Sequence, residues 1–155
     1  MKGVDIPFVQ EIAQISWHAT YEGIIPKDIQ DRFLQAAYCE ERLRTRLQQS
    51  LFLVATIGTS LVGFANFSPV NNGQVELYAI YLLPNAQQIG IGTALLENGI
   101  DKLHGAHLLT VCVEKDNTVG KQFYLAKGFQ LVEEFDDLFE GHLLKTIRLE
   151  LSLTK

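Results

Sequence analysis

The chain has 155 residues, of which 47% are hydrophobic, and a formal net charge of −5. This composition excludes a disordered chain and is sufficient for a sizeable core, so we expect a single domain over 1–155. An acidic chain without a stripe of basic residues among aromatic ones argues against nucleic acid as a partner. No apolar run is long enough to cross a bilayer and the first residues lack a secretory signal, which predicts a cytoplasmic protein without membrane contacts.

The first third of the chain has the pattern of helices. Asp5 is expected to cap a first helix over 5–20. A second helical region opens at Lys27 or Asp28 and continues, with a bend, to Gln49. The buried face of the first helix is predicted from residues at four- and three-residue spacing, which are Phe8, Ile12, Ile15 and Ala19.

Three strands are predicted next. The runs 51–57 and 60–67 are rich in β-forming residues, and a Gly-Thr dipeptide joins them as a tight hairpin. An Asn-Asn-Gly turn then leads into 75–83, an almost continuously apolar run that predicts a central strand covered on both faces. Pro84 ends this strand because proline cannot donate to a sheet ladder.

The remaining chain alternates helix and strand. Residues 93–103 keep helical spacing and 108–113 form a buried strand, so this strand–helix–strand unit makes the two strands parallel. Asn117 is expected to cap a short helix. Two further strands, 130–135 and 143–153, are joined through an acidic turn. The predicted class is α/β with a mixed sheet.

A glycine-bearing loop joins the central strand to the next helix. Gln87-Gln88-Ile89-Gly90-Ile91-Gly92 runs directly into Thr93. A helix N-terminus presents unpaired N–H groups and a positive dipole, and glycines let the main chain approach an anion, so a phosphate is the expected ligand. The alternatives are a structural turn and a dinucleotide fingerprint, but Leu95 occupies the third glycine position of that fingerprint.

These segments resemble the GCN5-related N-acetyltransferase (GNAT) superfamily. The loop 87–92 matches the superfamily pattern Q/R-x-x-G-x-G/A, and Leu82-Leu83-Pro84 matches the strand end before it. Residues 117–129, with Asn117, Phe123-Tyr124 and Gly128-Phe129, match the second half-motif. The resemblance implies a splayed mixed sheet with helices on both faces. A first edge strand is expected to be short or absent, because only 1–4 precede the first helix.

The resemblance also implies acetyl-CoA as the acetyl donor. The residues expected to contact it are Leu82, Leu83, Gln87, Gln88, Ile89, Gly90, Ile91, Gly92, Thr93, Asn117 and Tyr124. The Leu82 amide is the implied oxyanion donor, and Tyr124 is the implied acid that protonates the coenzyme A thiolate. The alternatives are that Tyr124 only packs against the core and that Asn117 only caps its helix.

Glu76 is a candidate base. It is the carboxylate of the central strand, on the same parity as Tyr78, Ile80 and Leu82. A substrate amine is cationic at neutral pH and must lose a proton before it attacks, which Glu76 could accept directly or through water. The alternative is an ordinary polar residue near the exposed start of the strand.

Trp17, Tyr21 and Glu22 lie at the end of the first helix. The segment around them is similar to bacterial polyamine acetyltransferases, in which the corresponding residues wall the acceptor pocket; ordinary packing is the alternative. No metal site is predicted, because His104 and His107 lack further ligands. Cys112 is interpreted as buried strand core.

We therefore predict an acetyl-CoA-dependent N-acetyltransferase that transfers the acetyl group directly to a primary amine. The acidic net charge favours a polyamine or another small cationic amine as this small-molecule partner. The alternative function is a non-catalytic acyl-CoA-binding sensor or scaffold. A homodimer is the default expectation for its assembly.

Overall fold

The computed structural model describes residues 1–153 and contains one mixed β-sheet with helices on both faces. Strands β1 to β6 comprise Leu51–Ile57, Ser60–Phe67, Gln74–Leu82, Leu108–Glu114, Gln130–Phe139 and His142–Ser152. Helices α1 to α5 comprise Ile6–Tyr21, Lys27–Ala37, Glu40–Gln49, Ile91–Lys102 and Thr118–Ala126. The strand order is β1-β2-β3-β4-β6-β5. The predicted α/β class with a mixed sheet is confirmed.

Each face of the sheet has its own core. On one face, α1 and α3 pack against Phe52, Phe64 and Ala79. On the other, α4 and α5 pack against Val75 and Leu77 of β3 and the apolar residues of β4 and β6. Burying both faces in this way removes most of the apolar side chains of the sheet from water.

The buried face of α1 differs from the predicted one. Phe8 and Ile15 are 54% and 39% exposed, and Ala19 is also exposed, so that prediction is wrong for three of its four residues. The buried stripe comprises Ile6, Val9, Ile12, Ala13, Ser16, Trp17 and Tyr21. Ile12 belongs to both stripes, and a helix with apolar residues around much of its circumference does not indicate which stripe meets the sheet.

The ends of the front helices also depart from expectation. Asp5 makes no cap bond to α1; its carboxylate accepts a hydrogen bond from the Lys2 N–H at 2.8 Å within a short 3₁₀ turn, Gly3–Asp5. The second helical region is broken at Tyr38 and Cys39 into two helices rather than bent. Within residues 1–153 no strand precedes α1, as predicted.

The last hairpin is longer than predicted. Strand β5 continues through the acidic residues 136–137, and the turn falls at Glu140 and Gly141, which have positive φ values of 48° and 77°. Charged residues continue this strand because β5 is an edge strand with one face in solvent, where charge carries no desolvation cost.

Strands β3 and β4 separate soon after they meet. Their parallel pairing is limited to Gln74 with Leu108, Val75 with Leu109 and Glu76 with Thr110. Beyond these pairs, β3 continues to Leu82 and β4 to Glu114 without a ladder between them. The splay implied by the resemblance is confirmed, and it opens the sheet at its centre.

A bulge in β3 changes which side chains share a face. Asn66 pairs with Ala79 but Phe67 pairs with Leu77, so Tyr78 is an extra residue on β3. Val75 and Leu77 before the bulge face the same core as Ile80 and Leu82 after it, whereas Ala79 and Tyr81 face α1. The prediction that Glu76 shares a face with Ile80 and Leu82 is therefore wrong, because strict alternation assumes no bulge.

The prediction that both faces of β3 are buried is also wrong at the start of the strand. Glu76 is exposed and Tyr78 is 51% exposed. The helices over this face, α1 to α3, pack farther along the sheet. The start of β3 therefore has one face open to solvent.

Candidate active site

A cavity of about 760 Å³ occupies the gap between the parted strands. It extends from the N-terminus of α4, past the end of β3, to α5 and the C-terminal turn of α1. The predicted site residues that line it are Tyr21, Leu82, Gln87, Gln88, Gly90, Gly92, Thr93, Asn117 and Tyr124. Residues from four separate segments of the chain thus meet in one place.

The glycine loop forms an open cradle at one end of this cavity. Gly90 is the N-cap residue of α4 with φ 89°, and no side chain caps the helix. A Cβ added at Gly90 would meet no atom within 4 Å, so the loop is free on its outer side. The N–H groups of the first turn of α4 have no acceptor within the helix and carry its positive dipole. This geometry fits a phosphate group of a bound donor.

The end of β3 presents main-chain groups to the gap. The Leu83 N–H donates to the Val62 carbonyl at 2.9 Å, so alternation along the antiparallel ladder turns the N–H and C=O of Leu82 away from β2. The Leu82 carbonyl accepts hydrogen bonds from Ser16 Oγ at 2.9 Å and from Gln87 Nε2 at 3.4 Å. The Leu82 N–H faces the same side and is suited to bind a ligand oxygen.

Tyr124 lies on the inner wall of the cavity. It is buried, and its ring makes edge contacts with Phe123 and Phe129 at centroid distances of 5.3 Å. Burial, with a smaller contribution from Tyr21, raises the pKa of Tyr124 well above that of a free tyrosine. A phenol held neutral in this way can donate a proton to a developing anion at neutral pH.

Two further tyrosines line the same cavity. Burial raises the pKa of Tyr21 to about 12, an effect that a contact with Asn117 partly opposes. Burial raises the pKa of Tyr81 as well, and the charges that Tyr21 and Tyr124 would carry add to this rise. All three hydroxyls are thus protonated at neutral pH, so the wall of the cavity between α1 and α5 is uncharged and rich in hydrogen-bond donors.

The buried tyrosines predict a loss of stability at high pH. Burial raises the pKa values of Tyr21, Tyr38, Tyr81 and Tyr124 in the folded chain. Their contribution to folding is complete below the unfolded value of about 10 and is lost as the pH rises above it. We expect the urea midpoint to fall above about pH 10, with tyrosinate absorbance appearing together with unfolding. Reversible ionisation of all four in the folded protein near that pH would contradict this.

Asn117 is confirmed as a helix cap. Its Oδ1 accepts a hydrogen bond from the Gly120 N–H at 3.0 Å, at the start of α5. Its interaction with Tyr21 opposes the rise that burial causes in the pKa of that tyrosine. The capping side chain therefore lies near the end of α1, beside the cavity.

Three of the predicted donor contacts do not line the cavity. Leu83 uses its N–H in the bond to β2, Ile89 is 61% exposed, and the Ile91 side chain packs against the core of the α4 face. Their side chains alternate with those of lining residues, which is why a contiguous motif includes them.

The predicted acceptor residues separate into different environments. Tyr21 lines the cavity and contacts the Trp17 ring at a centroid distance of 4.5 Å. Trp17 lies behind it, buried against Phe33 and Phe139 at centroid distances of 4.4 and 5.9 Å. The buried Trp17 indole N–H makes no hydrogen bond, although it lies near Tyr81. Glu22 lines a second cavity of about 750 Å³ beside the α1–α2 loop. Only Tyr21 of the three is therefore in direct contact with the central cavity.

Glu76 lies at the last paired position before β3 and β4 part. Its side chain is exposed and does not line the cavity, although it is close to Cys112 on β4. Cys112 does line the cavity and is exposed, so its prediction as buried core is wrong. The parted strand leaves this face of β4 uncovered, which local sequence could not indicate.

Three residues that sequence reasoning missed contribute to the cavity. Ser16 and Tyr81 line it from α1 and β3, and Lys127 lines it after α5. The Lys127 ammonium lies 5.7 Å from the centroid of the Phe123 ring and is the cation among the lining residues, with Asp116 as the anion. The one sequence signal for Ser16 is that it is a polar residue within the apolar stripe of α1.

Neither a membrane-spanning helix nor a metal-binding cluster is present in residues 1–153. No helix there is sufficiently long and apolar to span a membrane. No three histidine, cysteine or acidic side chains in this part of the chain are grouped so as to hold a metal ion. His107, one of the two histidines considered above, packs against Gly73.

Comparison with known proteins identifies the family. A model of the acetyltransferase (GNAT) family matches residues 9–129, so the chain belongs to this family. It is 33% identical to the uncharacterized N-acetyltransferase YuaI of Bacillus subtilis, over 94% of this chain and 86% of the relative. It is 31% identical to a spermidine N(1)-acetyltransferase of Thermoplasma acidophilum, over 85% of this chain and 86% of the relative. The predicted family and enzyme class are confirmed.

A solved structure supports the same assignment. The PaiA N-acetyltransferase of Thermoplasma acidophilum, crystallised in complex with coenzyme A, superposes with a TM-score of 0.89 and 25% sequence identity. The alignment covers 99% of this chain and 96% of that protein. The predicted GNAT fold is therefore confirmed over nearly the whole chain.

Proposed function

We propose that this enzyme transfers the acetyl group of acetyl-CoA directly to a small primary amine. The observation that carries the proposal is one continuous cavity, which joins the open N-terminus of α4 to the gap between β3 and β4. The coenzyme A in the PaiA structure supports acetyl-CoA as the donor, and the family match supports acetyl transfer as the reaction.

The donor is bound chiefly through main-chain groups in this proposal. The diphosphate lies against the first-turn N–H groups of α4, with Gly90 and Gly92 keeping the approach open. Hydrogen bonds to a charged group contribute about 1.5–3 kcal/mol each, so several outweigh the unfavourable net charge of the chain. Lys127 is the nearby cation that adds attraction. Asn117 contacts the donor from the start of α5.

The chemical step uses three groups. The amine nitrogen forms a bond to the thioester carbon, and the carbonyl oxygen becomes an oxyanion that accepts a hydrogen bond from the Leu82 N–H. The carbon–sulfur bond then breaks, and Tyr124 gives its proton to the sulfur. Before the attack, the ammonium gives one proton to water or, through water, to Glu76. After the attack the nitrogen gives a second proton to solvent, and Tyr124 is reprotonated from solvent. Buried Tyr124 remains neutral between turnovers because of its raised pKa.

The role of Glu76 is tested by the pH dependence of a Glu76→Gln variant. We expect kcat/KM to fall by up to about 10²-fold and the acidic limb of its pH profile to shift, because the amide cannot accept a proton. Glu97→Gln is the matched control, since it removes an exposed carboxylate from α4 outside the cavity. An acidic limb identical to that of the wild type would assign the proton to water alone.

The proposed acceptor is a polyamine or another small cationic amine. The spermidine acetyltransferase relative and the net charge of −5 support this class. Tyr21 and Tyr78 line the cavity on the side away from the glycine loop and are suited to contact an aliphatic cation. Trp17 and Glu22 would act one layer behind, through Tyr21 and the α1–α2 loop. A single domain, a cytoplasmic location and a homodimer stay predictions.

The deciding experiment is a thiol-release assay with acetyl-CoA and a panel of amines. We expect free coenzyme A only when an amine is present, with polyamines giving higher kcat/KM than neutral amino acid amides. Mass spectrometry of the acceptor should show one added acetyl group. A protein that acetyl-CoA stabilises against heat but that releases no thiol with any amine would instead be the sensor or scaffold.

A further inference from the structure

We propose that Ser16 is a positioning residue that holds the end of β3 in the orientation required for acyl transfer. The inference rests on the proposed function, because it concerns the main-chain groups of Leu82. Ser16 Oγ donates a hydrogen bond to the Leu82 carbonyl at 2.9 Å, between residues 66 positions apart. Ser16 is 1% exposed and lines the cavity.

Ser16 supplies the hydrogen-bond donor that a neighbouring strand would otherwise provide to Leu82. In a continuous sheet the Leu82 carbonyl would be bonded to β4, but that strand has left the ladder after Glu76 and Thr110. A carbonyl without a partner at such a position is costly, and the site would favour closure of the gap. The hydroxyl of Ser16 satisfies the carbonyl from α1, so the gap stays open without that cost.

The second donor to this carbonyl is weaker. Gln87 Nε2 lies 3.4 Å from the Leu82 oxygen, beyond the usual range of an N–H···O bond, and belongs to the glycine loop. A bound donor molecule that contacts the loop can displace it. Ser16, in contrast, is fixed by the packed residues of its own helix, Val9, Ile12 and Ala13.

The bond from Ser16 constrains the peptide plane at the reaction site. The same peptide unit donates through the Leu83 N–H to Val62 at 2.9 Å, so it is held at both ends. The preceding N–H, that of Leu82 itself, therefore has a restricted direction. An oxyanion donor is effective only when it is fixed in advance, and small displacements cost large factors in rate.

The test compares Ser16→Ala with a matched change on the same helix. We expect Ser16→Ala to lower kcat by about tenfold to 10²-fold while KM for acetyl-CoA changes by less than about threefold. Ile12→Val trims a buried side chain of α1 without touching Leu82, and should lower the thermal midpoint but not kcat. Ser16→Cys, with a weaker donor of similar shape, should give a kcat between those of the wild type and Ser16→Ala, and serves if the alanine variant does not fold.

The possible outcomes separate this inference from the function on which it depends. Wild-type kcat in Ser16→Ala, an equal loss in Ile12→Val, or a rise in KM that accounts for the whole loss would each overturn the positioning role. If the wild-type protein itself releases no thiol with any amine, the proposed function fails first. An active wild type with an unaffected Ser16 variant removes only the inference about Ser16.

Discussion

Replacing Tyr124 by phenylalanine is expected to lower kcat by about 10²- to 10⁴-fold while the acetyl-CoA dissociation constant changes by less than about threefold. The change removes the proton that the departing thiolate needs but keeps the ring between Phe123 and Phe129. Steady-state thiol release gives kcat, and titration calorimetry gives the dissociation constant. A large fall in kcat with a nearly unchanged dissociation constant identifies Tyr124 as a catalytic acid.

Tyr38→Phe is the matched control for this experiment. Tyr38 is also buried and its pKa is raised by burial, but it packs against Phe64 and Arg46 and does not line the cavity. We expect wild-type kcat in this variant. If Tyr124→Phe weakens binding and turnover by the same factor, its side chain only supports the cavity wall.

Gly90→Asp is expected to weaken acetyl-CoA binding by about a thousandfold. Two like charges about 4 Å apart cost about 4 kcal/mol at an effective dielectric constant of about 20, and the diphosphate would meet such a carboxylate. The space beside Gly90 is empty, so the added side chain fits but occupies the cradle. Gly92→Asp should act in the same way, with a further clash against Phe123, which a Cβ would approach to 3.3 Å. Titration calorimetry measures both effects.

Gly58→Asp separates the electrostatic effect from backbone strain. Gly58 in the β1–β2 hairpin also has a positive φ, 61°, and open space around a built Cβ, but it lies outside the cavity. The two substitutions should therefore cost similar stability, and of the two only Gly90→Asp should weaken acetyl-CoA binding. Unchanged acetyl-CoA affinity in Gly90→Asp would remove the loop from the donor site.

The structural features that were predicted correctly are local in sequence. The turn at Asn72 and Gly73 and the cap at Asn117 each depend on a few adjacent residues, and their residue types restrict the backbone directly. The parallel pairing of β3 with β4 follows from the helix between them. These features bring the donor loop, the strand end and Tyr124 together with little need for tertiary information.

The predictions that were wrong concern features that depend on contacts between residues distant in sequence. The bulge at Tyr78 leaves no mark in an apolar run, yet it reverses the facing of every later residue of β3. The exposure of Cys112 follows from the absence of a neighbouring strand on one side of β4. Ser16 and Tyr81 were missed because a polar or aromatic residue on a buried face does not show by itself whether it faces a gap or a core.

The short seam between β3 and β4 has a consequence for how this enzyme responds to its own substrate. Three residue pairs are all the ladder that connects β1-β2-β3 with β4-β6-β5, so the far ends of both strands lack mutual support. In the proposed binding mode, the thioester arm lies between these ends and would supply the cohesion that the ladder does not. Donor binding and the rigidity of the central sheet are then thermodynamically coupled. We therefore expect any substitution that weakens the β3–β4 pairing also to weaken donor binding.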